Sequence, residues 1–226
     1  MEQNVVKPRG LLFSFALAVT IICVATAFVC GGILLLNSLG EGAAKSSARE
    51  YYAVGTYYDS LSAAKTKAEG ERTSGRAGYV ISESAGFFLV SALYGEVGDA
   101  KVVAERIKAE TLTVKIAQTK FTGEDKSLCT EAVKTLSEVV DETEKLWRQL
   151  DAAETSESLV VKMLGSYASA LAEYAAAGDG VGEVVTRVRV ILTEAATGGK
   201  YPLTADVKYA SAATAALLAE YAASRL

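Results

Sequence analysis

Three regimes of hydrophobic patterning follow one another along this chain. From Gly10 to Gly40 no charged residue occurs, and the apolar stretch Leu11 to Leu36 runs for 26 residues. At about 1.5 Å per residue such a helix crosses a hydrocarbon layer of about 30 Å with some tilt, so a transmembrane helix is predicted over residues 10–36. The second regime, from Glu50 to Phe121, alternates short β-branched and aromatic runs with short helical stretches. In the third, from Glu124 onward, apolar residues recur at spacings of three and four, as amphipathic helices require.

Within the second regime, Tyr51 to Tyr58 is dense in aromatic and β-branched residues and reads as a strand. Asp59-Ser60 then caps a helix from Leu61 to about Arg72. Gly75 to Ile81 is a turn entering a second strand, Ala85-Gly86 a further turn, and Phe87 to Tyr94 a third strand. Gly95 to Gly98 opens a second helix with Val102, Val103 and Ile107 at helical spacing, and a fourth strand falls within Thr111 to Phe121. The plan is internally repeated: Ala53-Val54 matches Leu89-Val90, Tyr58 matches Tyr94 and Ala64 matches Ala100, each at an offset of 36. Two such halves predict an α+β unit of the ferredoxin-like, RNP-like βαββαβ type. Its four-stranded antiparallel sheet carries two helices on one face and leaves the other open to a ligand. By strand alternation Ala53, Gly78, Val80, Leu89 and Ser91 face the helices, whereas Tyr52, Val54, Tyr79, Phe88 and Val90 share the open face. The competing account of these aromatics is that another part of the chain covers them and makes them core.

The third regime predicts an all-α segment. Its first helix carries Leu128, Val133, Leu136, Val140, Trp147 and Leu150 on one side, and Thr122-Gly123-Glu124-Asp125 resembles a capping box before it. Further helices are expected at about Glu157–Ala177, Gly182–Thr197 and Thr204–Ser224, forming either an up-and-down bundle or a layer against the sheet. Their Glu and Lys residues are assigned mostly to the solvated face, and the alanine-rich stretch Ala210 to Ala216 suits close helix contact or a partner surface. The organisation is therefore a tail at 1–9, a span at 10–36, a Gly-, Ser- and Ala-rich linker at 37–48, an α+β domain at 49–121 and a helical domain at 122–226.

Charge orients this plan. Lys7 and Arg9 precede the apolar run and the first charge after it is Glu41, so the N-terminus is expected in the cytoplasm and the remainder outside it. A cleaved signal peptide competes with this reading, but its apolar region runs for about 7 to 15 residues, shorter than the stretch here. Lys7, Arg9 and Glu2 are the only charges in residues 1–36, which leaves 21 basic against 26 acidic side chains beyond. That balance repels phosphate backbones and argues against nucleic acid. The chain has no histidine and 3 cysteines, of which only Cys129 lies outside the apolar run, so no metal site or cofactor is expected. Cys129 reads as a small helix residue. Glu83, Glu96 and Asp99 are the carboxylates an envelope hydrolase would use, but nothing in their spacing pairs them, and no enzyme activity is expected.

The aromatic opening strand, Tyr58-x5-Ala64, the segment Gly75-Arg76-Ala77-Gly78-Tyr79-Val80, and Tyr94-x5-Ala100 together resemble the sporulation-related repeat (SPOR) family over residues 49 to 120. The resemblance implies a single-pass protein of the cell membrane, linked to septation or sporulation, that binds peptidoglycan glycan strands stripped of stem peptides. Many family members carry a polar first-strand residue where Val54 stands and a glycine where Thr56 stands, so the polar contact is missing here. The glycan-binding residues expected on this basis are Tyr52, Val54, Tyr57, Tyr79, Phe88 and Val90, the rings offering flat surfaces to sugar faces. The other partners expected are membrane lipid through residues 10–36 and an envelope protein on the C-terminal helices. The alternative function is an extracytoplasmic scaffold or signalling ectodomain that binds proteins without glycan affinity.

Overall fold

The computed structural model describes residues 46–225. The expected tail, transmembrane helix and linker up to residue 45 lie outside the described residues. Among those described, no helix is long and apolar enough to cross a membrane. The elements are β1 (Arg49–Tyr58), α1 (Leu61–Thr73), β2 (Tyr79–Glu83), β3 (Gly86–Tyr94), α2 (Val97–Ile107) and β4 (Glu110–Ile116). They are followed by α3 (Lys126–Asp151), α4 (Glu157–Ala170), a 3-10 turn (Leu171–Tyr174), α5 (Val181–Thr197) and α6 (Leu203–Ala223). The strands form one antiparallel sheet in the order β2-β3-β1-β4, an α+β arrangement with several helices.

Local chemistry explains most of these boundaries. The Ser60 hydroxyl accepts the Ala63 N–H at 3.2 Å and starts α1. Ala64 and Ala100, both fully buried, let α1 and α2 lie close to the sheet, and Ser60 and Glu96 open those helices at the same 36-residue offset. The capping box expected before α3 is not formed: Asp125 stands at the cap without a side-chain hydrogen bond. The helix expected to run from Glu157 to Ala177 ends at Ala170 and tightens into the 3-10 turn.

One irregularity decides which side chains share a face. Val54 pairs with Ala92 but the next residue, Gly55, pairs with Val90, so Ser91 is an extra residue in β3. A bulge of this kind reverses the alternation of side chains on either side of it. Tyr51, Ala53, Gly55 and Tyr57 therefore share a face with Phe88, Val90, Tyr79 and Ile81. Tyr52 and Val54 belong to the opposite face with Leu89 and Val80. The expected division, which put Tyr52 and Val54 beside Phe88 and put Ala53 toward the two helices, is corrected by this one residue.

Both faces are covered. On one, α1 approaches β3, and the Ser91 hydroxyl donates to Glu71 Oε2 at 2.7 Å. On the other lie α6, whose Tyr209 packs on Tyr79, and α3, whose Asp141 accepts from the Tyr51 hydroxyl at 2.8 Å. The boundary expected at 121/122 thus marks a change of secondary structure inside one body. Side chains of the sheet and of α3, α5 and α6 belong to a single hydrophobic core, and all the described residues fall in one compact unit.

Gly55 is the most closely enclosed glycine among the described residues. A Cβ there would lie 2.0 Å from the Leu89 carbonyl oxygen and 2.8 Å from the Phe88 ring, neither of which can withdraw. Gly55→Ala is expected to lower the free energy of unfolding by about 3 kcal/mol, as overpacking in a rigid core does. Gly70→Ala, in α1 where a Cβ would meet nothing within 4 Å, is expected to raise it by about 0.5–1 kcal/mol. Urea denaturation of the two variants checks both signs.

Candidate functional site

The six side chains expected on an open glycan-binding face do not form one surface. Val54, Phe88 and Val90 have no exposed area at all. Tyr57 is half-buried and meets Phe88 edge to face, ring centroids 4.8 Å apart. Tyr79 is half-buried and meets Tyr209 of α6 edge to face at 5.4 Å. Tyr52, on the other face, is half-buried and its hydroxyl donates to Glu50 at 3.3 Å. The expected open face is therefore closed by α6 and α3. The rings of Tyr79 and Phe88 are packing groups.

A polar clasp holds α6 in place. Arg72, at the end of α1, donates to the Asp206 carboxylate at 2.5 Å, with their side chains 24% and 8% exposed. Its guanidinium lies over two rings, 4.0 Å from the centre of Tyr201 and 4.5 Å from that of Tyr209. Two residues along, the Lys208 ammonium donates to the Gly75 carbonyl at 3.2 Å, pairs with Asp151 at 2.8 Å and sits over the Trp147 ring. Lys208 thus departs from the assignment of Glu and Lys residues to the solvated face, and Asp206 is buried beside it. Burial holds the Asp206 carboxyl above the ordinary aspartate range, and the neighbouring Arg72 offsets part of that. A signal was present in the sequence: two charges inside a helix apolar on every side must be buried with partners.

A second set of ties joins α3 to the sheet. Arg49 pairs with Asp141, which also accepts from the Tyr51 hydroxyl. Glu144 accepts the Gly95 N–H at 2.7 Å and pairs with Arg148, which reaches Asp99 of α2 at 2.8 Å. Burial raises the Glu144 carboxyl above the ordinary range, with Arg148 and the Gly95 N–H pulling the other way. Burial also pushes the Tyr79 hydroxyl up to about 12 and raises that of Tyr51, so these phenols stay protonated at neutral pH.

The candidate chemical groups are kept apart. Glu83 ends β2 at one end of the sheet and Glu96 follows β3 at the other, a strand of 9 residues away. That is about 30 Å, far beyond the reach of a carboxylate pair. Asp99 is held by Arg148. Cys129 is buried in α3, its Sγ 3.6 Å from the Gly178 carbonyl, and burial raises its pKa. Among the described residues no three His, Cys, Asp or Glu side chains are grouped to hold a metal. An open depression of about 450 Å³ lies between the start of α4 and the end of α5, lined by Glu157, Lys162, Thr197, Gly198 and Tyr201. No protein-family model, curated protein or solved structure matches the chain.

Two measurements follow from these placements. Phe88→Ala is expected to lower the unfolding free energy by about 3–5 kcal/mol, the cost of a cavity in a closed core, whereas Tyr52→Ala changes it by about 1 kcal/mol or less. Comparable small losses at both positions would mean that the face is not closed. For Glu144, a carboxyl raised in the folded state binds its proton more tightly than in the unfolded chain. Its contribution is therefore complete at low pH and is lost as pH rises above 4.5, the ordinary glutamate value. The stability of the parent relative to Glu144→Gln is expected to fall over that rise, checked by denaturation at a series of pH values.

Proposed function

We propose that the chain is a membrane-tethered, SPOR-like module of the cell envelope that holds protein partners outside the cytoplasm and catalyses no reaction. Tethering is supported by the uncharged run of 26 apolar residues behind Lys7 and Arg9. The family likeness is supported by the β-α-β-β-α-β order and by the recurrence of cap and alanine at an offset of 36. The observation that carries the choice of partner is the closure of the aromatic sheet face by α6. Of the rings expected to meet a sugar, Phe88 is fully buried, as are Val54 and Val90 beside the rings, and Tyr79 packs on Tyr209 of α6. On this reading peptidoglycan glycan strands are not the ligand of that face. What is left outward is a rigid body with helices on both sides of a sheet, a form suited to protein contacts.

The test uses the full chain in detergent micelles, sedimented with purified bacterial sacculi stripped of stem peptides, together with photo-crosslinking in cells followed by identification of the neighbours. The chain is expected to stay in the supernatant and to crosslink to envelope proteins. Co-sedimentation of the parent chain with stripped glycan, above the level seen with a control protein in the same micelles, would return the function to glycan binding.

A further inference from the structure

The end of the sheet farthest from residue 46 carries a surface of unusual composition. β1 has 10 residues, so Tyr57 and Tyr58 stand about 30 Å from the point where the chain enters the domain. Tyr58 pairs with Phe87, and both are half-buried. Leu61, the first residue of α1, is 38% exposed and Ile107, the last of α2, is 40% exposed. These helix ends flank the same strand ends: β1 leads into α1 three residues after Tyr58, and α2 leads into β4 three residues after Ile107. The aromatic and aliphatic groups thus gather at one pole.

Acidic side chains outnumber basic ones around them, three to two. Asp59, Glu83 and Glu110 are exposed, and none makes an ion pair among the described residues. By pairing, Glu110 lies beside Gly55 and Glu83 beside Gly86, on either side of Tyr57 and on its face of the sheet. Burial first, and then both carboxylates, raise the Tyr57 hydroxyl, which places the ring in their common field. The opposing charges are Lys108, between Ile107 and Glu110, and Lys65, one turn along from Leu61. Aromatic faces flanked by unpaired carboxylates attract cations, and neighbouring aliphatic groups accept the stem of a lysine or arginine or an adjacent apolar side chain.

We infer that this pole is a docking surface for a cationic, partly apolar peptide segment of a protein partner. The inference rests on the scaffold reading above and gives it a place and a chemistry. The pole lies at the end of the sheet opposite residue 46.

The test places the full chain in nanodiscs of zwitterionic phosphatidylcholine and measures, by fluorescence anisotropy, binding of a labelled alternating lysine–leucine hexapeptide. An alternating glutamate–leucine hexapeptide and an N-acetylglucosamine tetramer serve as alternative ligands, and empty nanodiscs give the background. Binding of the lysine peptide alone is expected, weakening with salt and falling about tenfold in the double variant Glu83→Gln/Glu110→Gln. Both glutamates are exposed, so the melting temperature of that variant should match the parent. Equal binding of the two peptides, or an affinity unchanged in the double variant, overturns the inference, as does displacement of the peptide by the sugar tetramer. If the pole fails while envelope proteins still crosslink to other surfaces, only this inference falls. Absence of protein neighbours anywhere on the domain overturns the scaffold reading itself.

Discussion

Helix α6 lies between the sheet and the other C-terminal helices, and the remaining architecture depends on its being apolar on every side. From Ala205 to Leu218 all its residues are buried except the half-buried Tyr209. Alanines dominate this run, which permits close approach to β2, β3 and β4 on one side and to α3 and α5 on the other. A helix with one apolar stripe could cover the sheet but would show a polar back to α3 and α5. By offering contact all round, α6 turns a sheet with two helices and a group of helices into one core.

That arrangement has an electrostatic side. Asp206 and Lys208 are carried into the interior by the first turns of α6, where each meets a fixed partner from a distant part of the chain. Buried ion pairs add little net stability because desolvation opposes the attraction, but a wrong docking would leave the charges unpaired. Arg72 and Asp151 therefore specify how α6 sits on the sheet more than they hold it there. Not every polar atom nearby is satisfied: Arg72 Nε, Trp147 Nε1 and Ser211 Oγ are buried without a protein partner.

Periodicity was enough to place the elements, because each short run of the sequence expresses its own preference. The Ser60 cap, the paired Ala64 and Ala100 and the alternation of β3 all acted locally, and the strands and helices lie within a few residues of their expected limits, apart from the helix from Glu157, which ends at Ala170 and not at Ala177. The division of faces was not legible, since an inserted residue such as Ser91 leaves no mark in composition while reversing every side chain on one side of it. Nor was the covering of the aromatic face. An alanine-rich helix has no polar-to-apolar contrast to show which direction it faces, and Arg72 is 134 residues from the aspartate that it meets. Tyr79 and Phe88 looked like ligand contacts for the same chemical reason that they make good core: a large flat ring suits either neighbour.

The central position of β1 has a mechanical corollary. The strand is paired with β4 over Arg49–Gly55 on one side and with β3 over Tyr52–Tyr58 on the other, antiparallel to both. A pull on the polypeptide at residue 46 against a hold at the opposite tip acts along the strand axis. It loads the two ladders in shear, so their hydrogen bonds resist together instead of opening one after another like a zip.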